Sequence, residues 1–180
     1  MADIYVALLR GINLGGKNKL PMKGLAAMFA GAGCREVHTY IQSGNVIFQA
    51  SQDVARRVPS EIAHAIAERF GFQVPLVTRT AAEIAQVAQS NPFLQDGADP
   101  DTLHVAFVAE TPSAGKVDSL DKDRSPPDRF AVLGREIYLH CPNGFARTRF
   151  TTDYFDRRLG TISTVRNWRT VLKLLELTSG

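Results

Sequence analysis

The spacing of apolar positions changes several times along the chain, and each change marks an element. Ile4, Val6 and Leu8 alternate with Tyr5, Ala7 and Leu9, so both faces of the first segment are apolar and both need cover. Residues 10–20 then hold glycine, asparagine and lysine without a period. Pro21 suits the first turn of a helix, and Met22, Leu25, Ala26 and Phe29 follow at i, i+3, i+4 and i+7, with Gly31 and Gly33 placed to end it. Val37 to Ile41 alternate again, Ser43-Gly44-Asn45 reads as a tight turn, and Val46 to Phe48 return as a strand. Asp53 is placed to cap a second helix carrying Val58, Ile62, Ile66 and Phe70, which Pro59 is expected to kink or to start. Val74 to Thr78 form a fourth strand.

This order, β-α-β-β-α-β, is the ferredoxin-like pattern, and it recurs. Thr80-Ala-Ala-Glu83 is a capping box for a short helix, which Asn91-Pro92-Phe93 breaks before an acidic linker from Gln95 to Pro100. Leu103 to Ala109 predict a strand and Thr111 to Leu120 a short helix. Phe130 to Leu133 and Glu136 to His140 predict a hairpin about Gly134-Arg135. A helix with Phe155 and Leu159, capped by Thr151 or Thr152, ends at Gly160 and leads to a strand over Thr161 to Val165. A last helix carries Trp168, Val171, Leu172 and Leu175. The expected fold is α+β: two ferredoxin-like halves packed together, with an extra C-terminal helix. The first half spans 1–79, the helix and linker 80–100, and the second half with the C-terminal helix 101–180.

Composition narrows the class. Apolar residues make up 44% of the 180 positions, enough for a real core. The start, MADIYVALLRGI, does not read as a signal peptide, and no stretch approaches the ~20 apolar residues of a membrane span, so the expected setting is cytoplasmic and away from membranes. Cys34 and Cys141 read as small buried thiols, since a cytosolic disulfide is unusual. The net charge of +3 is too mild to prove a nucleic-acid partner, but its distribution is uneven. Gln95 to Asp123 hold seven acids against two lysines, whereas Gly144 to Lys173 hold seven bases against two acids. The two regions attract each other, or the second attracts an anion.

Three segments carry a resemblance together: Leu9-Arg-Gly-Ile-Asn-Leu-Gly-Gly-Lys-Asn-Lys19, Tyr40-Ile-Gln-Ser-Gly-Asn-Val-Ile-Phe48 and Thr164-Val-Arg-Asn-Trp-Arg-Thr-Val171. With them the chain resembles the bacterial family called domain of unknown function 1697, over nearly its whole length. The resemblance implies two ferredoxin-like halves and supplies no mechanism. Arg169 stands where the family's pattern has Asn, so the basic surface is expected to be particular to this chain.

The candidate chemistry lies in three places. The segment from Arg10 to Lys23 has four bases (Arg10, Lys17, Lys19, Lys23) and no acid, with Asn13 and the glycines Gly15 and Gly16 able to bend the backbone toward an anion. A helix follows, so its N-terminus points back at the loop. The spacing matches neither a Walker loop nor a dinucleotide fingerprint. In a ferredoxin-like order the first two strands run parallel, which would put this loop on the same rim as Gln42, Ser43 and Asn45. The third place is Arg166-Asn167, read as opening the last helix, with Arg166, Arg169 and Lys173 on one face. His38, His64, His104 and His140 lack zinc-ligand spacing, no nucleophile elbow occurs, and no metal or cofactor is expected. The leading expectation is binding of a phosphate-bearing anion, nucleic acid included. An enzyme acting on a small phosphorylated or carboxylated metabolite and an interaction protein without catalysis are the alternatives, with catalysis and oligomeric state left open.

Overall fold

The computed structural model describes all of residues 1–180. Chain contacts divide it into two compact units, Met1–Ile84 with Glu176–Gly180, and Ala85–Leu175. Each unit is built on a four-stranded antiparallel sheet.

In the first unit the elements are β1 (Asp3–Leu9), α1 (Met22–Gly31), β2 (Arg35–Tyr40), β3 (Asn45–Ala50), α2 (Gln52–Phe70) and β4 (Leu76–Thr80). The strands lie in the order β2-β3-β1-β4, which places β1 at the centre. Central placement explains the apolar character of both its faces. Tyr5, Ala7 and Leu9 join Val46, Phe48, Leu25, Phe29, Ile62 and Ile66 in one cluster, while Val6 and Leu8 on the other face are fully buried too. The register sets Val6 opposite Ile47 and Arg79, and Leu8 opposite Val77, so an arginine shares that second apolar face. Arg79 is 1% exposed, and its guanidinium donates to the Thr78 carbonyl.

Two helix details differ from the sequence expectation. Ser51, not Asp53, caps α2, its hydroxyl accepting from the Val54 N–H; Asp53 sits in the first turn, where a carboxylate favours the helix dipole. Pro59 lies inside an unbroken α2, because four buried side chains on its core face outweigh the lost hydrogen bond. The helix ends as expected at Gly71, whose φ of 78° suits glycine.

The boundary between the units falls in α3 (Ala81–Gln89), which opens with the predicted capping box: Thr80 N–H donates to Glu83 Oε2 at 2.8 Å, and Glu83 N–H to Thr80 Oγ1 at 3.1 Å. Asn91, expected as a breaker, instead caps the short α4 (Pro92–Gln95).

The second unit continues with β5 (Leu103–Val108), α5 (Ala114–Asp118), β6 (Arg129–Leu133), β7 (Glu136–His140), α6 (Thr152–Leu159), β8 (Ser163–Asn167) and α7 (Trp168–Thr178), the last up to Leu175. Its strand order, β6-β7-β5-β8, repeats that of the first. Ala106, Val108, Ile137 and Leu139 pack with Phe150, Tyr154, Phe155 and Leu159, while Leu103, Val105 and Phe107 of the opposite face are fully buried. Along α7 the buried apolar positions are Trp168, Val171 and Leu174; Leu172, expected on the apolar stripe, is 45% exposed. The buried stripe runs on through Leu174 and Thr178 rather than Leu172 and Leu175, and β8 extends to Asn167, so the helix begins only at Trp168. No helix is long and apolar enough to cross a membrane.

Candidate functional site

The connection from β1 to α1 is held by side chains of its own. Asn13 adopts φ 53°, a conformation asparagine tolerates better than most residues. Its Nδ2 donates to the Leu20 carbonyl at 3.0 Å and to the Gln42 carbonyl at 2.9 Å, and its Oδ1 accepts from the Leu20 N–H at 2.8 Å. One side chain thus closes the loop on itself and ties it to the β2–β3 hairpin. Within the loop, Asn13 N–H donates to the Asn18 carbonyl and Lys17 N–H to the Leu14 carbonyl, making a miniature hairpin. Gly15 (φ 56°) and Gly16 (φ 77°) form its tip, where two successive left-handed residues are needed. Asn18 Nδ2 donates to the Gly11 carbonyl at 3.0 Å. The segment that the sequence presents as a structureless basic loop is therefore ordered.

The facing hairpin is equally constrained. Asn45 is fully buried, its Nδ2 donating to the Tyr40 carbonyl and to Ser43 Oγ, both at 3.1 Å. Gly44 has φ 92°, and a Cβ there would meet Leu9 Cβ at 2.8 Å and Ile12 Cδ1 at 2.9 Å, so the chain passes too close for any other residue. Gly44 also accepts from the Leu9 N–H through its carbonyl at 2.9 Å. Ile41 holds φ 49° while half exposed, a strained state for a β-branched side chain.

Between loop and hairpin lies a cavity of about 320 Å³, lined by Asn13, Gly16, Lys19 and Gln42 together with Leu20, Pro21 and Met22 at the start of α1. The N-terminus of α1 has Pro21 in the cap position and no side-chain cap, so its first-turn N–H groups keep no side-chain partner. Lys19 brings a cation, and no carboxylate lines the space.

Of the eleven residues singled out from the sequence, Asn13, Gly16, Lys19 and Gln42 line this cavity. Gly15 shapes the loop tip, Ser43 and Asn45 brace the hairpin from within, and Lys17 is exposed on the loop. Arg10 is half-buried, with its N–H on the Pro75 carbonyl. Arg166 and Asn167 belong to the second unit and do not line the cavity. Arg166 is not on the last helix: it lies in β8, 8% exposed, its guanidinium donating to Thr164 Oγ1 and the Val165 carbonyl, and burial pulls its pKa down to about 10. Asn167 caps α7, its Oδ1 accepting from the Thr170 N–H at 2.8 Å. Leu20, Pro21 and Met22 escaped the sequence reading because apolar residues beside a helix start carry no chemical signal of their own.

The model of the family described as protein of unknown function (DUF1697) matches residues 2–138. The chain belongs to this family. Both the loop and the hairpin lie inside the DUF1697 match. A solved structure described as conserved bacterial protein SP0830 from Streptococcus pneumoniae shares the fold, with a TM-score of 0.75 and 21% identity over 99% of each chain. A search of the curated proteins finds no match.

Other reactive groups in this DUF1697 chain are subdued. Cys34 and Cys141 are free and buried, and burial pushes both thiols up to about 11, away from nucleophilic use at neutral pH. The histidines divide: His38 and His64 are exposed, while His104 stacks on Phe145 at 4.5 Å with its Nδ1 buried and unpartnered. No group of three or more His, Cys, Asp or Glu side chains has the geometry to hold a metal ion.

Proposed function

We propose that the chain binds a small phosphate-bearing anion in the cavity between the β1–α1 loop and the β2–β3 hairpin. The observation that carries this reading is the meeting, in one concave space, of the Lys19 ammonium, the uncapped α1 N-terminus and Gln42, with no carboxylate among them. Backbone N–H groups at a helix start and a neighbouring cation are the elements of phosphate recognition. The strained Ile41 beside Gln42 supports the reading, since backbone strain is retained chiefly where a site needs it. The concave form favours a small metabolite over an extended nucleic acid, and the volume of about 320 Å³ lies at the lower end of small-molecule sites. Binding alone is proposed, without a catalytic role.

The reading rests on a ferredoxin-like plan for each unit, with halves at 1–79 and 101–180, which the repeated order β2-β3-β1-β4 and β6-β7-β5-β8 supports. A cytoplasmic setting agrees with two buried, unlinked cysteines.

A thermal-shift titration with inorganic phosphate, mononucleotides and sugar phosphates tests it. Ligand at about a hundred times its Kd adds roughly 2.7 kcal/mol of stability. Lys19→Ala should weaken binding roughly tenfold while leaving the melting temperature of the free protein unchanged. An unshifted melting curve with every phosphate compound, or full affinity in Lys19→Ala, would reject the site. A mobility shift with mixed single-stranded RNA and DNA at low salt would favour the polymer instead.

A further inference from the structure

The second unit has a cationic cavity of its own, and it owes nothing to the loop just described. Arg124, Thr151, Asp153, Tyr154, Arg157 and Arg158 line a space of about 430 Å³ at the start and outer face of α6. Three guanidinium groups against one carboxylate leave a local surplus of positive charge.

The arrangement is built rather than incidental. Tyr154 is 7% exposed, and its hydroxyl accepts from the Asp121 N–H at 2.8 Å, so the ring is fixed. Arg124 lies over that ring, 4.2 Å from its centroid, and Arg158 approaches the same ring at 5.8 Å. Arg124 Nε donates to the Arg149 carbonyl at 3.0 Å, which fixes the orientation of its planar fork. Thr151 caps α6 by accepting from the Tyr154 N–H. None of the three arginines pairs with a carboxylate. The Arg157 side chain makes neither an ion pair nor a hydrogen bond, and Asp153 joins no salt bridge.

Bringing three guanidinium groups round one cavity against the single Asp153 carboxylate leaves a repulsion that an anion would relieve. Arginine presents donors in a flat fork that matches phosphate oxygens two at a time, which lysine cannot do. We infer that the α6 cavity is a second anion site, taking the phosphate or pyrophosphate group of a small molecule between Arg124, Arg157 and Arg158. Arg124 is the preset member, held by Tyr154 and Arg149; Arg157 and Arg158 close on the ligand from the exposed face of α6. The sequence shows the positive segment from Gly144 to Lys173, but Arg124 comes from outside it, so only the fold assembles the trio.

The test is calorimetric titration of the full chain with inorganic pyrophosphate at low salt. Four proteins are compared: wild type, the double variant Arg157→Ala/Arg158→Ala, Arg157→Lys, and Lys19→Ala. Both arginines are exposed, so the double variant should fold, and unchanged far-UV circular dichroism and melting verify that it does. Wild type should bind two pyrophosphates. The double variant should lose one class of site, its affinity falling roughly a hundredfold, and keep the other. Arg157→Lys, which keeps the charge and loses the fork, should weaken that class several-fold. Lys19→Ala should leave it intact. Binding that Lys19→Ala abolishes and the arginine variants leave untouched overturns this inference while sparing the loop site. Binding that persists in Lys19→Ala and vanishes in the double variant supports it and removes the loop site. An isotherm identical in wild type and double variant also overturns it.

Discussion

The two units follow one strand order and differ in how they turn at the rim. In the first, residues 10–21 join β1 to α1 and residues 41–44 join β2 to β3; in the second, residues 109–113 and 134–135 do the corresponding work. The second unit closes a sheet of the same order with far less chain. The longer connections are therefore not required by the architecture, and the chain they add forms the Asn13 bracket, the glycine tip and the cavity beside Lys19. The second unit keeps these two turns short and gathers cations beside α6 instead. The same framework thus carries positive charge in two different ways, once on a shaped loop and once on a helix face.

The sharpest way to break the comparison is at the hairpin glycines. Gly44→Ala would drive a Cβ to 2.8 Å from Leu9 and 2.9 Å from Ile12 at φ 92°, and should cost about 3 kcal/mol. Gly134→Ala, at φ 61° with only Glu136 Oε2 at 3.9 Å, should cost about 1–2 kcal/mol. Urea unfolding of both variants measures the gap, and equal losses would mean that the two turns are equally tight. Next comes Asn13→Ala, which removes three hydrogen bonds that hold the loop to Leu20 and Gln42. A loss of about 2 kcal/mol is expected, with faster amide exchange confined to residues 10–20 and 41–44.

The pH dependence should belong to the second unit. Burial holds the His104 imidazole below its ordinary value in the folded chain, while the unfolded chain returns it to about 6.5. The unfolded state therefore takes up the proton first. The stability due to the neutral ring is complete above about pH 6.5 and is lost as pH falls through the lowered folded value. His140 is shifted the same way, by burial and then by Arg129, and adds to the slope. Urea midpoints at pH 7 and pH 5 should converge in His104→Phe relative to wild type; an unchanged slope would assign the effect elsewhere. The smallest effect is expected for Arg169→Ala. Its 3.3 Å pair with Asp101 joins side chains 83% and 73% exposed, so unfolding should shift by less than about 0.5 kcal/mol. That pair is an exposed ion pair between the basic and acidic segments, both partners lying in the second unit, and it is too weak to organise that unit.

Local signals in the sequence were read correctly where they act locally. The two-faced apolar run of β1 announced a strand covered on both faces, and Thr80 and Glu83 announced a cap three residues apart. Ser51 was overlooked in favour of Asp53 because either residue type can cap, and only the chain path decides. Arg166 was misassigned to a helix face because the spacing 166, 169, 173 fits a helix while the backbone stays extended through Asn167. The meeting of the loop and the hairpin was inferred from strand direction, but its agent, an Asn13 bond across 29 positions, has no mark in composition or period. The trio beside α6 lay hidden for the same reason, since Arg124 stands over Tyr154 and lines one cavity with Arg157 only in the fold.

The bracket made by Asn13 has a kinetic side. For the proposed anion site, walls already pinned by Asn13 need not reorganise to admit a guest. Association should then follow a single exponential whose rate climbs linearly with guest concentration and shows no plateau, because encounter and not rearrangement sets the pace. Cutting the bracket would turn that line into a saturating curve, making one asparagine the clock of the site.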